Sequence, residues 1–303
     1  MQIAEGNDLI KKYAFFPGCT IPARFPQFEA SSLKVLEALG ISLERMSGFT
    51  CCPEPLSMQM LNKDMWYSVA ARNISLAESK GLDILTLCNG CNETLFEANK
   101  DLKADERLRR NINRNLKEIG RSFKGEIAVK SILRVLCEDV GADEIRKHVK
   151  VPLKDAKIAV HYGCHIFPEL EDFDDAKDPR SLKDLVSALG AEVVSYPSEM
   201  TCCAAFARPI NEDVSLEFAE KKLRDLANVG AECLVVMCPY CFLQFDLGQI
   251  MISRKWNKSY KIPVVYCSQL IGLAMGFSTR EMGLDFHMVK IDDFAKKIDA
   301  VDE

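Results

Sequence analysis

Apolar residues fall in short unbroken runs separated by longer amphipathic stretches, and the same alternation is written twice along the chain. Tyr13-Ala14-Phe15-Phe16 runs into Pro17-Gly18-Cys19, and Ile158-Ala159-Val160 runs into His161-Tyr162-Gly163-Cys164. Runs this short, apolar without alternation, predict strands buried on both faces. An amphipathic helix is predicted after each, about Glu29 to Leu39 and about Ser181 to Leu189, stopping at Gly40 and Gly190, where glycine provides the left-handed cap. A second strand, Ile41 to Met46 or Ala191 to Tyr196, leads toward a cysteine pair. Another helix, about Asp64 to Ser79 or Val214 to Asn228, precedes a third apolar strand that delivers Cys-x-x-Cys.

The repetition extends to the wording. Val35-Leu36-Glu37-Ala38-Leu39-Gly40 parallels Leu185-Val186-Ser187-Ala188-Leu189-Gly190, and Lys80-Gly81-Leu82-Asp83 parallels Val229-Gly230-Ala231-Glu232, at an offset of about 150 residues. Strands alternating with helices predict parallel sheets. The expected fold is therefore α/β, with two internally duplicated Rossmann-like or flavodoxin-like βα domains, N-terminal over 1–150 and C-terminal over 151–303. In such sheets ligands sit beyond the carboxyl ends of the strands, and all five cysteines of each repeat fall at or just after a predicted strand end. The polar stretch 99–125 is a helical excursion, read either as a solvated helix or as a docking face for another protein. A short exposed helix is predicted after Asp292.

Composition adds little until the cysteines. The chain has 303 residues, 48% apolar and 27% charged, ordinary for a globular protein of two domains. A net charge of −5 argues against general nucleic-acid affinity. The start of the chain carries no targeting pattern, and the longest apolar stretch, Ile262 to Phe277, is broken by Pro263, Ser268 and Gln269 and is too short to span a membrane. A cytoplasmic location is expected. Thirteen cysteines are anomalous there, because clustered thiols in a reducing compartment are metal ligands or redox groups more often than disulfides.

The first set reads Cys19-x31-Cys51-Cys52-x35-Cys88-x2-Cys91, and the second Cys164-x37-Cys202-Cys203-x34-Cys238-x2-Cys241. Structural zinc takes four ligands, usually from closely spaced pairs. Five thiols with two adjacent suit a polynuclear iron–sulfur cluster better, since neighbouring sulfurs can reach different irons. Zinc in one half remains an alternative. Cys137, Cys233 and Cys267 lie outside the repeat and read as small core residues.

With these residues in view, the chain resembles the cysteine-rich, or CCG, domain family, and within it the B subunits of heterodisulfide reductases from methanogenic and related archaea. The resemblance runs from Tyr13 to about Phe277 and is strongest at Tyr13-Ala14-Phe15-Phe16-Pro17-Gly18-Cys19 and His161-Tyr162-Gly163-Cys164-His165. It implies a noncubane [4Fe-4S] cluster on Cys19, Cys51, Cys52, Cys88 and Cys91, and another on Cys164, Cys202, Cys203, Cys238 and Cys241. It implies reduction of the heterodisulfide of coenzyme M and coenzyme B, or a similar disulfide, between the two clusters. It also implies partners: the ferredoxin-like and flavoprotein subunits of heterodisulfide reductase, together with a hydrogenase or formate dehydrogenase where the complex is larger. The family's glycine after each cysteine pair is replaced here by Pro53 and Ala204, which spares the ligands but changes the turn beside the second pair. About ten residues precede the usual family start.

His161 and His165 flank Cys164 and are candidate proton donors or hydrogen-bonding supports, with strand-end packing as the plainer reading. Arg24 and Arg208 each lie five residues after a cysteine and are candidate substrate-binding groups, because a guanidinium suits sulfonate, phosphate and carboxylate; a surface ion pair is the alternative. The competing function is electron relay within a quinone- or other-acceptor-linked oxidoreductase, with no substrate site in this chain.

Overall fold

The structure, a computed structural model, describes residues 11–298. Two four-stranded parallel sheets carry the fold. The first contains β1 (Lys11–Phe16), β2 (Ile41–Arg45), β3 (Ile84–Thr86) and β4 (Val129–Ser131), in the order β2-β1-β3-β4. The second contains β5 (Lys157–His161), β6 (Glu192–Val193), β7 (Cys233–Val236) and β8 (Val264–Tyr266), in the order β6-β5-β7-β8. The identical order confirms the duplicated α/β fold read from the repeat.

Position in the sheet explains the apolar runs. β1 and β5 are flanked by strands on both sides and lose nearly all solvent contact from Tyr13 to Phe16 and from Ile158 to His161. Lys11 to Phe15 pairs in parallel register with Ile41 to Arg45, and Ala14 to Phe16 with Ile84 to Thr86. β2 and β6 are edges and are partly exposed, and β6 retains only two residues of the longer strand expected over Ala191 to Tyr196. There Tyr196 turns back and donates its hydroxyl to the Val160 carbonyl at 3.0 Å.

The helices agree with the periodicity: Pro26–Ala38, Lys63–Glu78, Ser181–Ala188 and Glu212–Asn228. Asn62 and Asn211 cap the second and fourth of these, each accepting from the backbone three residues on, at 2.9 and 3.1 Å. The polar excursion is helical in two pieces, Asn89–Ala104 and Glu106–Lys117, broken at Asp105, which caps the second. Ile112 and Leu116 are buried, and the buried Glu78 carboxylate accepts from the amides of Lys124, Gly125 and Glu126, which ties down the chain as it returns toward β4. The final helix, Asp292–Lys297, is not simply exposed: Phe294 and Ala295 are buried.

The chain divides into two compact units that are not contiguous halves. The first comprises the described residues up to Arg24, Leu36–Val140 and His165–Ala176; the second comprises Phe25–Val35, Gly141–Cys164 and the chain from Lys177 onward. In the second unit Phe28 stacks on Tyr266, 4.7 Å between ring centroids, and meets the edge of Phe242 at 4.7 Å. Ser31 and Ser32 both bond Ser268 at 2.9 Å. In the first unit the buried Glu169 carboxylate accepts from Ser131 N at 3.0 Å and Asn92 Nδ2 at 2.7 Å. Among the described residues no helix is long and apolar enough to cross a membrane.

Candidate metal centres

Each sheet presents its thiols at the carboxyl ends of its strands. In the first unit Cys19 follows β1, Cys51 and Cys52 lie in the loop after β2, and Cys88 follows β3. From β1 the chain moves outward to β2 on one side and then to β3 and β4 on the other. Such a reversal of strand order opens a crevice at the strand ends. The second unit repeats this with Cys164 after β5, Cys202 and Cys203 after β6, and Cys238 after β7.

The Cys-x-x-Cys motifs straddle helix starts. Cys88 is the N-cap of Asn89–Ala104 and Cys238 that of Pro239–Trp256, so Cys91 and Cys241 sit in first turns. The Asn92 and Phe242 amides close those turns onto the Cys88 and Cys238 carbonyls, each at 2.9 Å. The remaining free amides and the helix dipole favour negative charge at these sulfurs. Gly18, at φ +70°, precedes Cys19; a Cβ there would stand 2.9 Å from Cys91 Sγ, so only glycine lets this loop approach the motif. Gly163 precedes Cys164 in the same left-handed conformation, φ +79°. Ala204 adopts φ +57° after Cys203, keeping the turn geometry for which glycine is the easier residue; its amide donates to Cys202 Sγ at 3.3 Å.

The sulfurs are crowded. Cys202 Sγ lies 3.8 Å from Cys164 Sγ, and Cys241 Sγ lies 3.4 Å from Cys203 Sγ. In the first set, hydrogen bonds from the Cys51 and Cys91 thiols hold Cys52 down to about 5, while the same contacts push Cys51 and Cys91 up. In the second, the Cys164 and Cys203 thiols hold Cys202 down to about 2, and Cys203 is pushed up to about 12, chiefly by its contact with Cys202. Thiols packed this closely share protons, and they can all be deprotonated together only around a multiply charged cationic group. Five soft donors gathered at a helix start fit an iron–sulfur cluster, and they fit poorly to a hard cation or one tetrahedral ion.

The second set has a distinctive lining. His161 is fully buried, with Nε2 lacking a hydrogen-bond partner among the described residues, and a ring nitrogen lies within 4.8 Å of the Cys203 and Cys241 sulfurs. Burial, then the nearby Lys222 charge, drives its pKa well down. Lys222 is itself completely buried. Its ammonium donates to the carbonyls of Ser198 and Glu199, approaches His161 Nδ1 at 3.4 Å, and lies 5.1 Å from the Tyr196 ring centroid. Burial lowers its pKa to about 8, opposed by the charges of Cys241 and Cys203. Sequence reasoning missed Lys222, which in the structure shares the buried stripe of its helix with Leu216, Ala219, Leu223 and Leu226.

The other expected residues lie as follows. His165 bonds the Glu93 carboxylate through Nδ1, in the first unit. Arg24 ends the short helix Thr20–Arg24 and is exposed. Arg208 is half-buried and donates to Gln244 Oε1. Cys233 and Cys267 are buried in β7 and at the start of the helix after β8, and Cys137 is half-buried in the π-helical turn Val135–Val140.

The sequence profile of the cysteine-rich domain matches residues 13–96 and 158–246, one copy over each cysteine set. The chain belongs to the cysteine-rich domain family. Within that family it is similar to the B subunit of the ferredoxin:CoB-CoM heterodisulfide reductase of Methanosarcina mazei, 38% identical over 95% of this chain and 97% of that one. The B subunit of the ferredoxin/F420H2-dependent CoB-CoM heterodisulfide reductase of Methanosarcina acetivorans is 39% identical over the same shares. The 8-methylmenaquinol:fumarate reductase membrane anchor subunit of Wolinella succinogenes is 32% identical over 92% of this chain and 97% of that one. A hypothetical protein from Helicobacter pylori has the same fold, with a TM-score of 0.74 at 14% identity over 95% of this chain and 55% of that one.

Proposed function

We propose that this chain is the disulfide-reducing member of a heterodisulfide reductase complex. It takes electrons singly from a ferredoxin-like subunit, itself fed by a flavoprotein, and reduces the coenzyme M–coenzyme B heterodisulfide or a similar mixed disulfide. The balance is RS–SR′ + 2 e⁻ + 2 H⁺ → RSH + R′SH. The observation that carries this reading is a complete five-thiol set in each of two units, in a chain similar over nearly its whole length to two Methanosarcina proteins named as B subunits of such reductases.

On this reading Cys19, Cys51, Cys52, Cys88 and Cys91 hold one noncubane [4Fe-4S] cluster and Cys164, Cys202, Cys203, Cys238 and Cys241 hold another. When bound, these groups supply the reaction with one-electron reduction. The chain's own residues do the rest. The helix starts at Cys88 and Cys238 stabilise anionic sulfur. Arg24 and Arg208 bind the anionic groups of the disulfide. His161, held neutral, supports the second set through hydrogen bonding rather than by storing a proton.

Anaerobic reconstitution followed by iron and sulfide analysis, then assay with reduced viologen and the heterodisulfide, tests the proposal. Two iron–sulfur groups per chain, thiol release, and co-purification with a small ferredoxin-like protein are expected. Colourless protein with stoichiometric zinc would refute it. The Wolinella relative, named for a quinol:fumarate reductase, favours the relay reading as runner-up; iron-loaded protein that is oxidised by a quinone analogue but by no disulfide selects it.

A further inference from the structure

The two cysteine sets are near copies, but their linings are not. His161 is the last residue of β5, three before Cys164, and Phe16 is the last residue of β1, three before Cys19. Lys222 stands eight residues before Gly230, and Asn73 stands eight before Gly81, on matching helices. Both helix residues face the loop that carries the cysteine pair. Asn73 does so as a neutral amide, donating to the Cys51 carbonyl at 3.0 Å and accepting from Thr50 N at 3.1 Å. Lys222 does so as an ammonium, bonded to the Ser198 and Glu199 carbonyls. The repeat has thus kept the hydrogen-bonding duty and, on the second side, has placed a completely buried charge where the first side has an amide.

Among the described residues, no carboxylate touches that charge. Its neighbours are two carbonyls, an imidazole nitrogen and the face of Tyr196. The Glu199 carboxylate favours the charge through space without touching it and is itself engaged by Lys183 at 2.7 Å. A fully buried ammonium touching only neutral acceptors requires a counter-charge, and the second thiol set lies just across the His161 ring that Lys222 approaches. The first set has no equivalent among the described residues. Arg72 bonds the Gly48 carbonyl near Cys51 and Asn73 Oδ1 at 3.1 Å, but it is only partly buried and its charge is screened by water. Phe16, packed on Phe49 with 4.9 Å between centroids, adds no charge.

We propose that Lys222 is a positioning and potential-setting residue that makes the two centres inequivalent, the one on Cys164, Cys202, Cys203, Cys238 and Cys241 being the more easily reduced. A fixed positive charge in a low-dielectric site stabilises an added electron, whereas a neutral amide does not. Electrons entering the chain then collect at the second centre. This rests on the reading of both sets as iron–sulfur sites.

The test is a potentiometric titration, followed by electron paramagnetic resonance, of the full iron-loaded chain. Cys91→Ala and Cys241→Ala variants assign each signal to its set. Lys222→Met keeps the volume and removes the charge. It is expected to lower the equilibrium constant for one-electron reduction of the second centre about tenfold, a downward shift of about 59 mV, and to leave the first unmoved. Lys222→Arg, which keeps the charge, should hold the second potential near its original value. Loss of iron from the second set in Lys222→Met but not in Lys222→Arg also supports a cation requirement. Full iron with an unmoved potential in Lys222→Met overturns the proposal. So does loss of the second centre in both variants, which would make the role one of shape. Unsubstituted protein that takes up no iron overturns the iron–sulfur reading itself, and the inference falls with it.

Discussion

Removing one thiolate from either set separates a paired-centre reductase from a chain in which one centre suffices. Cys91 and Cys241 are 5% and 3% exposed and sit in the first turns of helices that continue well beyond the site. Replacing either with alanine deletes a single buried sulfur. By analogy with small core truncations this costs about 1 kcal/mol, against a stability of about 5–15 kcal/mol for a typical protein, so the altered unit should still fold. The cluster should not survive intact, because Cys241 Sγ is the sulfur 3.4 Å from Cys203 and Cys91 Sγ is the one against which Gly18 closes. Iron should fall from about eight to about four per chain in each single variant, with the circular dichroism of the apoprotein unchanged. Disulfide cleavage takes two electrons, so either variant should lose at least about 100-fold in turnover, about 2.7 kcal/mol of activation free energy. The assay is thiol release with a one-electron donor, normalised to protein and to iron. A variant with half its iron and near-full activity would refute the paired requirement and favour the relay reading.

Three further outcomes are expected. Ala204→Gly should stabilise the apoprotein by about 0.5–1 kcal/mol in urea unfolding, because residue 204 lies at φ +57°, where alanine is strained and glycine is not; no gain would mean the turn is held by the Ser215 Oγ bond to its carbonyl, 2.8 Å, alone. Burial raises Glu169 to about 7 against the opposing donors Ser131 and Asn92, so the folded state holds a proton that the unfolded state has released. Stability should therefore be greatest below about pH 4.5 as far as this group is concerned and fall by about 3 kcal/mol as pH rises to 7; Glu169→Gln should flatten that part of the profile in thermal melts of the apoprotein, and an unchanged slope would exclude Glu169 as its source. Arg208→Ala should weaken binding of an anionic disulfide by about 1.5–3 kcal/mol, read as a raised KM, with Arg24→Ala having a smaller effect because Arg24 is exposed and its charge is screened; equal binding by both variants and the parent would remove these arginines from the site.

Much of this protein is decided locally and is therefore legible in its sequence. A run such as Tyr13 to Phe16 can be apolar on both faces only as a central strand, and the structure places it between β2 and β3. The glycines at 18 and 163 before Cys19 and Cys164 are needed because the chain turns there with positive φ. Spacing alone put each Cys-x-x-Cys after a third strand, since a strand leading into a helix exposes that junction at the sheet's rim. Tertiary structure decided the rest. An amphipathic stripe shows that the helix Pro26–Ala38 is buried, but not by what, and the structure sets Phe28 against Phe242 and Tyr266 of the second unit. His165 follows Cys164 in sequence yet bonds Glu93 of the first unit, because the chain leaves the second unit between the two residues. β4 and β8 are three residues each, too short for periodicity to separate from the helices they lead into. Lys222 reads in sequence as one more lysine; only the packing of its helix against the Ser198–Glu199 loop makes it a buried ammonium, because burial depends on what the rest of the chain brings to that face.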